Sequence, residues 1–114
     1  MCQLKYKIWI EVEEGKIFGV GPLKLLRGVK ETGSLSEAAK NMNMSYNKAH
    51  TLIKSIEEKL GYKLISSRTG GLKGGGSELT EKAEKFIIAY QNFYDECETS
   101  LKEIFSRHFN DICL

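Results

Sequence analysis

Along residues 4–13, Leu4, Tyr6, Ile8, Ile10 and Val12 alternate with Lys5, Lys7, Trp9, Glu11 and Glu13. A period of two, rich in β-branched and aromatic residues, predicts a strand with one buried face. Glu14-Gly15 is a turn signal and Lys16-Ile17-Phe18 a short return strand, so residues 1–20 read as an N-terminal β-hairpin. The period then becomes helical. Gly21-Pro22 opens a helix, because proline suits the first helical turn, and Leu23, Leu26 and Val29 share one face. Gly33 supplies the stop.

Ser34-Leu35-Ser36-Glu37 has the form of a capping box, in which Ser34 accepts from the Glu37 N–H and Glu37 reaches back. It starts a short helix running to about Asn41, where Ala38 and Ala39 are small enough for another helix to cross closely. Asn43 stands where a left-handed residue is expected. Ser45 caps a further helix whose Ala49, Leu52, Ile53, Ile56 and Leu60 face inward, and Gly61 ends it. Residues 22–61 are thus expected to hold three helices. Lys63–Arg68 reads as a strand, Thr69–Gly76 as irregular, and Ser77–Leu79 as a short return strand. Thr80 caps a last helix from about Glu81 to Arg107, within a segment spanning 80–109.

Two short helices joined by a tight turn form a helix-turn-helix pattern. The outward face of the second carries Tyr46, Asn47, Lys48, His50, Thr51, Lys54 and Ser55. Such side chains can hydrogen-bond base edges or reach phosphates, and no acid interrupts them before Glu57 and Glu58. Ser34, Ser36 and Ser45, at the helix starts, are candidate contacts as well. The plain alternative is a solvated helix face. The glycine-rich run admits three readings. A nucleotidase phosphate loop fails, since the Gly-Lys-Ser/Thr ending is missing. A flexible linker is possible. The tip of a β-hairpin wing fits best, because glycines let backbone N–H groups approach phosphates while Arg68 and Lys73 neutralise charge there.

Charge distribution sharpens this picture. The net charge of the 114 residues is only +2. Residues 45–77, however, carry six basic groups against two acidic, and residues 78–114 carry four against eight. A positive middle beside a negative last helix suggests one face that meets an anion and one that does not. The length suits a single domain, and 41% apolar with 28% charged residues is ordinary globular usage. No membrane span and no signal peptide are expected, which points to the cytoplasm. Cys2, Cys97 and Cys113 are an odd number without Cys-x-x-Cys spacing, so neither a complete intrachain disulfide framework nor a zinc site is expected. His50 and His108 lie far apart, and no metal or cofactor is called for.

The run GSLSEAAKNMNMSYNKAHTLIKSIEEKLG, followed by LISSRTGGLKGGGSELTEKAEKF, resembles the N-terminal DNA-binding domain of ModE-type molybdate-responsive transcriptional regulators. More distantly it is similar to the helix-turn-helix of LysR-type regulators. The most specific pieces are Gly33-Ser34 with Ala38-Ala39, Ser45-Tyr46 with Ala49, and Thr69-Gly70-Gly71 followed by Gly74-Gly75-Gly76 and Leu79-Thr80. The resemblance implies a mainly α (α+β) winged helix-turn-helix with an N-terminal hairpin and a long C-terminal dimerisation helix. It implies binding to double-stranded operator DNA as a homodimer, the recognition helix in the major groove. The wing residues Arg68, Thr69, Gly70, Gly71, Lys73 and Gly74 would lie on the backbone or minor groove. ModE-type regulators also carry molybdate-binding domains. After the last helix no sequence remains for them here, so no molybdate site is expected on this chain.

Ala83, Ile87, Tyr90, Tyr94, Cys97, Leu101 and Ile104 follow one another at alternating steps of four and three, the spacing of a coiled-coil seam. Ile87, Tyr90, Tyr94, Cys97, Leu101 and Ile104 are therefore candidate dimer contacts, and Phe86, Phe93 and Phe105 flank them. The alternative is that this helix folds back on its own domain. Three functions compete. A sequence-specific dimeric regulator comes first. An enzyme has no catalytic constellation to support it. An architectural or protein-interaction module would bind DNA without sequence preference.

Overall fold

The computed structural model describes residues 2–68 and 76–113, without the side chain of Arg68. The elements follow in the order β1 (Ile10–Val12), β2 (Gly15–Phe18), α1 (Val20–Thr32), α2 (Leu35–Asn41), α3 (Tyr46–Leu60), β3 (Ile65–Arg68), β4 (Gly76–Leu79) and α4 (Glu81–Cys113). β1 pairs with β2 and β3 with β4, each an antiparallel two-stranded sheet. This is a mainly helical winged helix-turn-helix with an N-terminal hairpin and a long last helix.

Local signals set most boundaries. Gly33 and Gly61 stop α1 and α3 at φ 73° and 85°, where a side chain would be strained. Asn43 takes φ 56° in the turn between α2 and α3. Ser45 Oγ accepts from Lys48 N at 3.1 Å, and Thr80 Oγ1 accepts from Ala83 N at 3.1 Å. The capping box forms by half. Ser34 Oγ accepts from Glu37 N at 3.1 Å, but Ser34 N donates to Thr32 Oγ1 at 3.2 Å rather than to Glu37. The threonine that ends α1 thus joins the cap that starts α2.

The core lies where α1, α2 and α3 meet the first turns of α4. Phe18, Leu25, Leu26, Val29, Ala49, Leu64 and Ala83 are fully buried. α1 crosses α2 closely. A Cβ on Gly28 would stand 2.8 Å from the Ala38 Cβ, so the crossing requires glycine on one helix and alanine on the other. The edge of Phe18 meets Phe86 at 4.7 Å and Tyr90 at 5.0 Å between ring centroids, tying the hairpin to α4.

Two expectations are corrected. Residues 4–13 do not make one long strand. Only Ile10–Val12 enters a ladder, and residues 2–9 have no strand partner among the described residues. Their period-two burial survives, with even positions half-buried and odd positions exposed, because the segment lies along α4 instead of in a sheet. Ile8 O accepts from Tyr90 Oη at 2.9 Å, and the Tyr6 ring sits 6.3 Å from that of Tyr94. The second correction concerns the cysteines. Cys2 and Cys113 are joined by a disulfide, with Cα atoms 5.4 Å apart. An odd count left room for one pair, and only the fold brings positions 111 apart in sequence together. Cys97 is free.

Candidate nucleic-acid interface

The turn at Met42–Met44 sets α2 against α3 and leaves the first half of α3 facing outward. Tyr46, Asn47, Lys48, His50, Thr51 and Lys54 are all exposed, while Ala49 and Ile53 between them are buried. A 3.6-residue repeat places these two sets on opposite sides of one helix. The His50 ring stacks on Tyr46 at 5.8 Å, forming an aromatic pair at the start of the face. Ser36 is exposed on the neighbouring helix, and Ser55 is half-buried. Ser34 and Ser45 have their oxygens engaged as caps, which leaves each hydroxyl proton for donation to a further acceptor.

Glu57 is the functional residue whose role the sequence did not disclose. It was expected to close the outward face with an acid. Instead it is 8% exposed and turned inward. One carboxylate oxygen, Oε2, accepts from Leu64 N at 2.7 Å and from Ile65 N at 3.2 Å, where the chain leaves α3 and enters the wing. Lys54 Nζ lies 3.9 Å from Oε1, the other oxygen. The acid thus ties the start of the wing to α3. One signal was present in the sequence: Glu57 stands four residues after Ile53 and three before Leu60, on the inward stripe.

The wing strands pair Ile65 with Leu79, Ser66 with Glu78, Ser67 with Ser77 and Arg68 with Gly76. Ser77 N donates to Gly33 O at 2.9 Å, fixing the returning strand against the end of α1. Between α3 and the wing lies an open depression of about 360 Å³, lined by Tyr46, His50, Lys54, Glu57, Lys63 and Ser66 among others. Lysines and hydroxyls thus border it, with the largely buried Glu57 the one acid in its lining. Thr69, Gly70, Gly71, Lys73 and Gly74, the expected wing contacts, lie outside the described residues, and of Arg68 only the backbone is described.

The candidate dimer residues are distributed differently. Ile87 and Tyr90 are buried in the chain's own core, and Tyr94, Cys97 and Leu101 are half-buried. Ile104 is 45% exposed. Phe93, Phe109 and Ile112 are also exposed on α4. Beside Tyr94, the Tyr6 hydroxyl is pushed up to about 12, first by desolvation and then by its hydrogen bond to Glu98. Glu98 is held below the usual carboxylate range by its bonds to Lys102 and then Tyr6.

Comparisons with known proteins agree with this architecture. Residues 21–84 match the family described as bacterial regulatory helix-turn-helix protein, lysR family. The chain is 34% identical over 76 residues to the molybdenum-pterin-binding protein MopB of Rhodobacter capsulatus, covering 67% of this chain and 28% of that protein. It is 30% identical over 81 residues to the transcriptional regulator ModE of Haemophilus influenzae, covering 71% and 32%. The chain therefore spans roughly three-tenths of the length of these curated relatives. Among solved structures, the CbnR_DBD–DNA complex superposes with a TM-score of 0.59 at 21% identity, covering 80% of this chain and 99% of that one. The BenM_DBD/benA site 1 DNA complex superposes with a TM-score of 0.55 at 21% identity, covering 78% and 98%. With its helix pair, its wing and a family match over most of both, the chain belongs to the bacterial regulatory helix-turn-helix proteins of the lysR family.

Proposed function

We propose that this chain binds double-stranded DNA sequence-specifically as a homodimeric transcriptional regulator, acting in the cytoplasm where its operator lies. One observation carries this reading most: the outward half of α3 presents Tyr46, Asn47, Lys48, His50, Thr51 and Lys54 with no acid among them, and Glu57 is folded inward. A helix of this character can enter a major groove, where amide and hydroxyl groups read base edges and cations meet phosphates. The wing follows directly, held by Glu57, and its Arg68 and glycine-rich tip are assigned to the backbone or minor groove. ModE of H. influenzae is named as a transcriptional regulator, and the CbnR and BenM structures contain DNA, which supports the same reading.

The dimer is assigned to α4, with 33 residues and a length of about 50 Å. Ile87 and Tyr90 serve the chain's own core, so a second copy would meet Phe93, Cys97 and Ile104 on the adjoining flank. Two recognition helices would then face half-sites one or more helical turns apart.

A binding-site selection from random duplex DNA tests the proposal. Asn47→Ala and Thr51→Ala are expected to change the preferred sequence, and Arg68→Ala to weaken binding to all sequences alike. Unchanged preference in both recognition-helix variants, or equal affinity for selected and random DNA, would replace specific regulation by an architectural role.

A further inference from the structure

We infer that the Cys2–Cys113 pair is an oxidative modification site, a thiol–disulfide latch that fastens residues 2–9 onto α4 and releases them on reduction. Without the latch this segment is held thinly. It has no ladder partner among the described residues, and alternate side chains face solvent. Its anchors are the Tyr90 bond to Ile8 O, the Tyr6–Tyr94 ring contact and the Cys2 N bond to Cys113 O at 2.7 Å. A segment outside any ladder, with so few ties, loosens readily unless it is fastened.

The geometry makes the pair selective. The backbone bond holds the two residues side by side, and their Cα separation of 5.4 Å lies within the range a disulfide spans. Cys97 stands sixteen residues up the same helix from Cys113, about 24 Å away at ~1.5 Å per residue, out of reach of that position. Exchange with a small-molecule disulfide such as glutathione disulfide balances the step. One cysteine thiolate attacks a glutathione sulfur and expels a glutathione thiolate. The second cysteine thiolate then attacks the protein-bound sulfur and expels the other. The protein loses two electrons and two thiol protons, and two glutathione thiols form. Reduction reverses each bond.

Release has a defined consequence. The segment lies on the face of α4 that carries Tyr90, Tyr94 and Glu98, and near its far end Leu4 and Tyr6 share a groove with Phe105. Opening the latch bares Tyr94 and the groove at Phe105 beside the Phe93, Cys97 and Ile104 flank assigned to the dimer, so the reduced protein offers a wider apolar face on α4 and self-associates more strongly. The latch itself stands independently of DNA binding. Only this consequence rests on the dimer proposed above.

The test equilibrates the full chain, with Cys97→Ser as a control, in glutathione buffers of stepped redox ratio. Non-reducing peptide mapping should show one Cys2–Cys113 link that appears and disappears in a single two-electron step. Limited proteolysis after Lys5 and Lys7 should quicken about tenfold on reduction, with cuts in α2 and α3 unchanged. Cys2→Ser and Cys113→Ser should each be cut at the fast rate in every buffer. Absence of the link at every ratio, its replacement by a link through Cys97, or equal cleavage in both forms would overturn the latch. Light scattering across a concentration series reads self-association separately. A latch that opens while the mass stays constant confirms the modification site and refutes its coupling to self-association; a monomeric mass in both forms refutes the α4 dimer as well.

Discussion

Each side-chain cap on α2 and α3 spans three residues, Ser34 to Glu37 and Ser45 to Lys48. α4 begins with a local cap of the same span, Thr80 to Ala83, but its ties to residues 2–9 reach across 82 residues, from Tyr90 to Ile8, and across 111, from Cys113 to Cys2. The helix-turn-helix is built from interactions that form as soon as a turn of helix forms. The long helix and the segment laid on it depend on closing nearly the whole chain. Short-range caps and a close-packed crossing make a rigid platform, which holds the six exposed side chains of α3 in fixed register. Long-range contacts at partly exposed positions make a detachable cover, which suits a surface whose exposure is to change. The difference predicts unequal responses to substitution.

The largest effect should come from the helical core. Leu26→Ala removes a fully buried side chain and is expected to cost about 3 kcal/mol, seen as a lower urea midpoint for the whole chain. If α4 and residues 2–9 unfolded in a separate transition in that experiment, the two regions would be energetically independent and not merely different. Glu57→Ala comes next. It strands the Leu64 and Ile65 N–H groups, at a cost of about 2 kcal/mol, and should raise hydrogen exchange in β3 while α2 stays protected. Exchange that spreads evenly over the domain would show that the wing is not hinged on this acid.

Tyr90→Phe removes one hydrogen bond to the N-terminal segment and should cost about 1 kcal/mol, with faster exchange confined to residues near Ile8. The smallest effect is one of pH. The folded state holds the Tyr6 hydroxyl protonated to about 12 instead of 10.0. A raised value means that this contribution is complete below pH 10.0 and is lost as pH rises through about 12. Tyrosinate absorbance should therefore show a late step near pH 12 whose amplitude Tyr6→Phe reduces, Tyr90 being raised as well by its burial. Glu98 acts in the opposite direction. Its lowered value gives a contribution present above the ordinary carboxylate range and lost on acidification through the folded value, so the segment should loosen at both extremes of pH.

The candidate site was legible to the extent that its determinants are local. The caps at Ser34 and Ser45, the left-handed Asn43 and the stops at Gly33 and Gly61 all lie within a few residues of what they control, and each appears where its chemistry placed it. The exposed set from Tyr46 to Lys54 follows from helical periodicity once those ends are known. Glu57 was misjudged because a carboxylate on a helix is ordinarily solvated. Its partners, seven and eight residues on, are backbone N–H groups whose position depends on how the wing leaves α3.

By itself the amino-acid sequence determined the helix pair, the exposed face of its second helix, the two wing strands and the alternating burial of the N-terminal segment, because periodicity and capping act over one or two turns of chain. Only the tertiary structure decided what lies against that alternating face. A period of two states that one side is covered without naming the cover, and here the cover is α4 instead of a strand. The same placement brought Cys2 to Cys113, turned Ile87 and Tyr90 from the outer seam to the core, and drew Glu57 beneath the wing. Each is a meeting of groups that no local rule places together, and each follows from how the chain closes on itself.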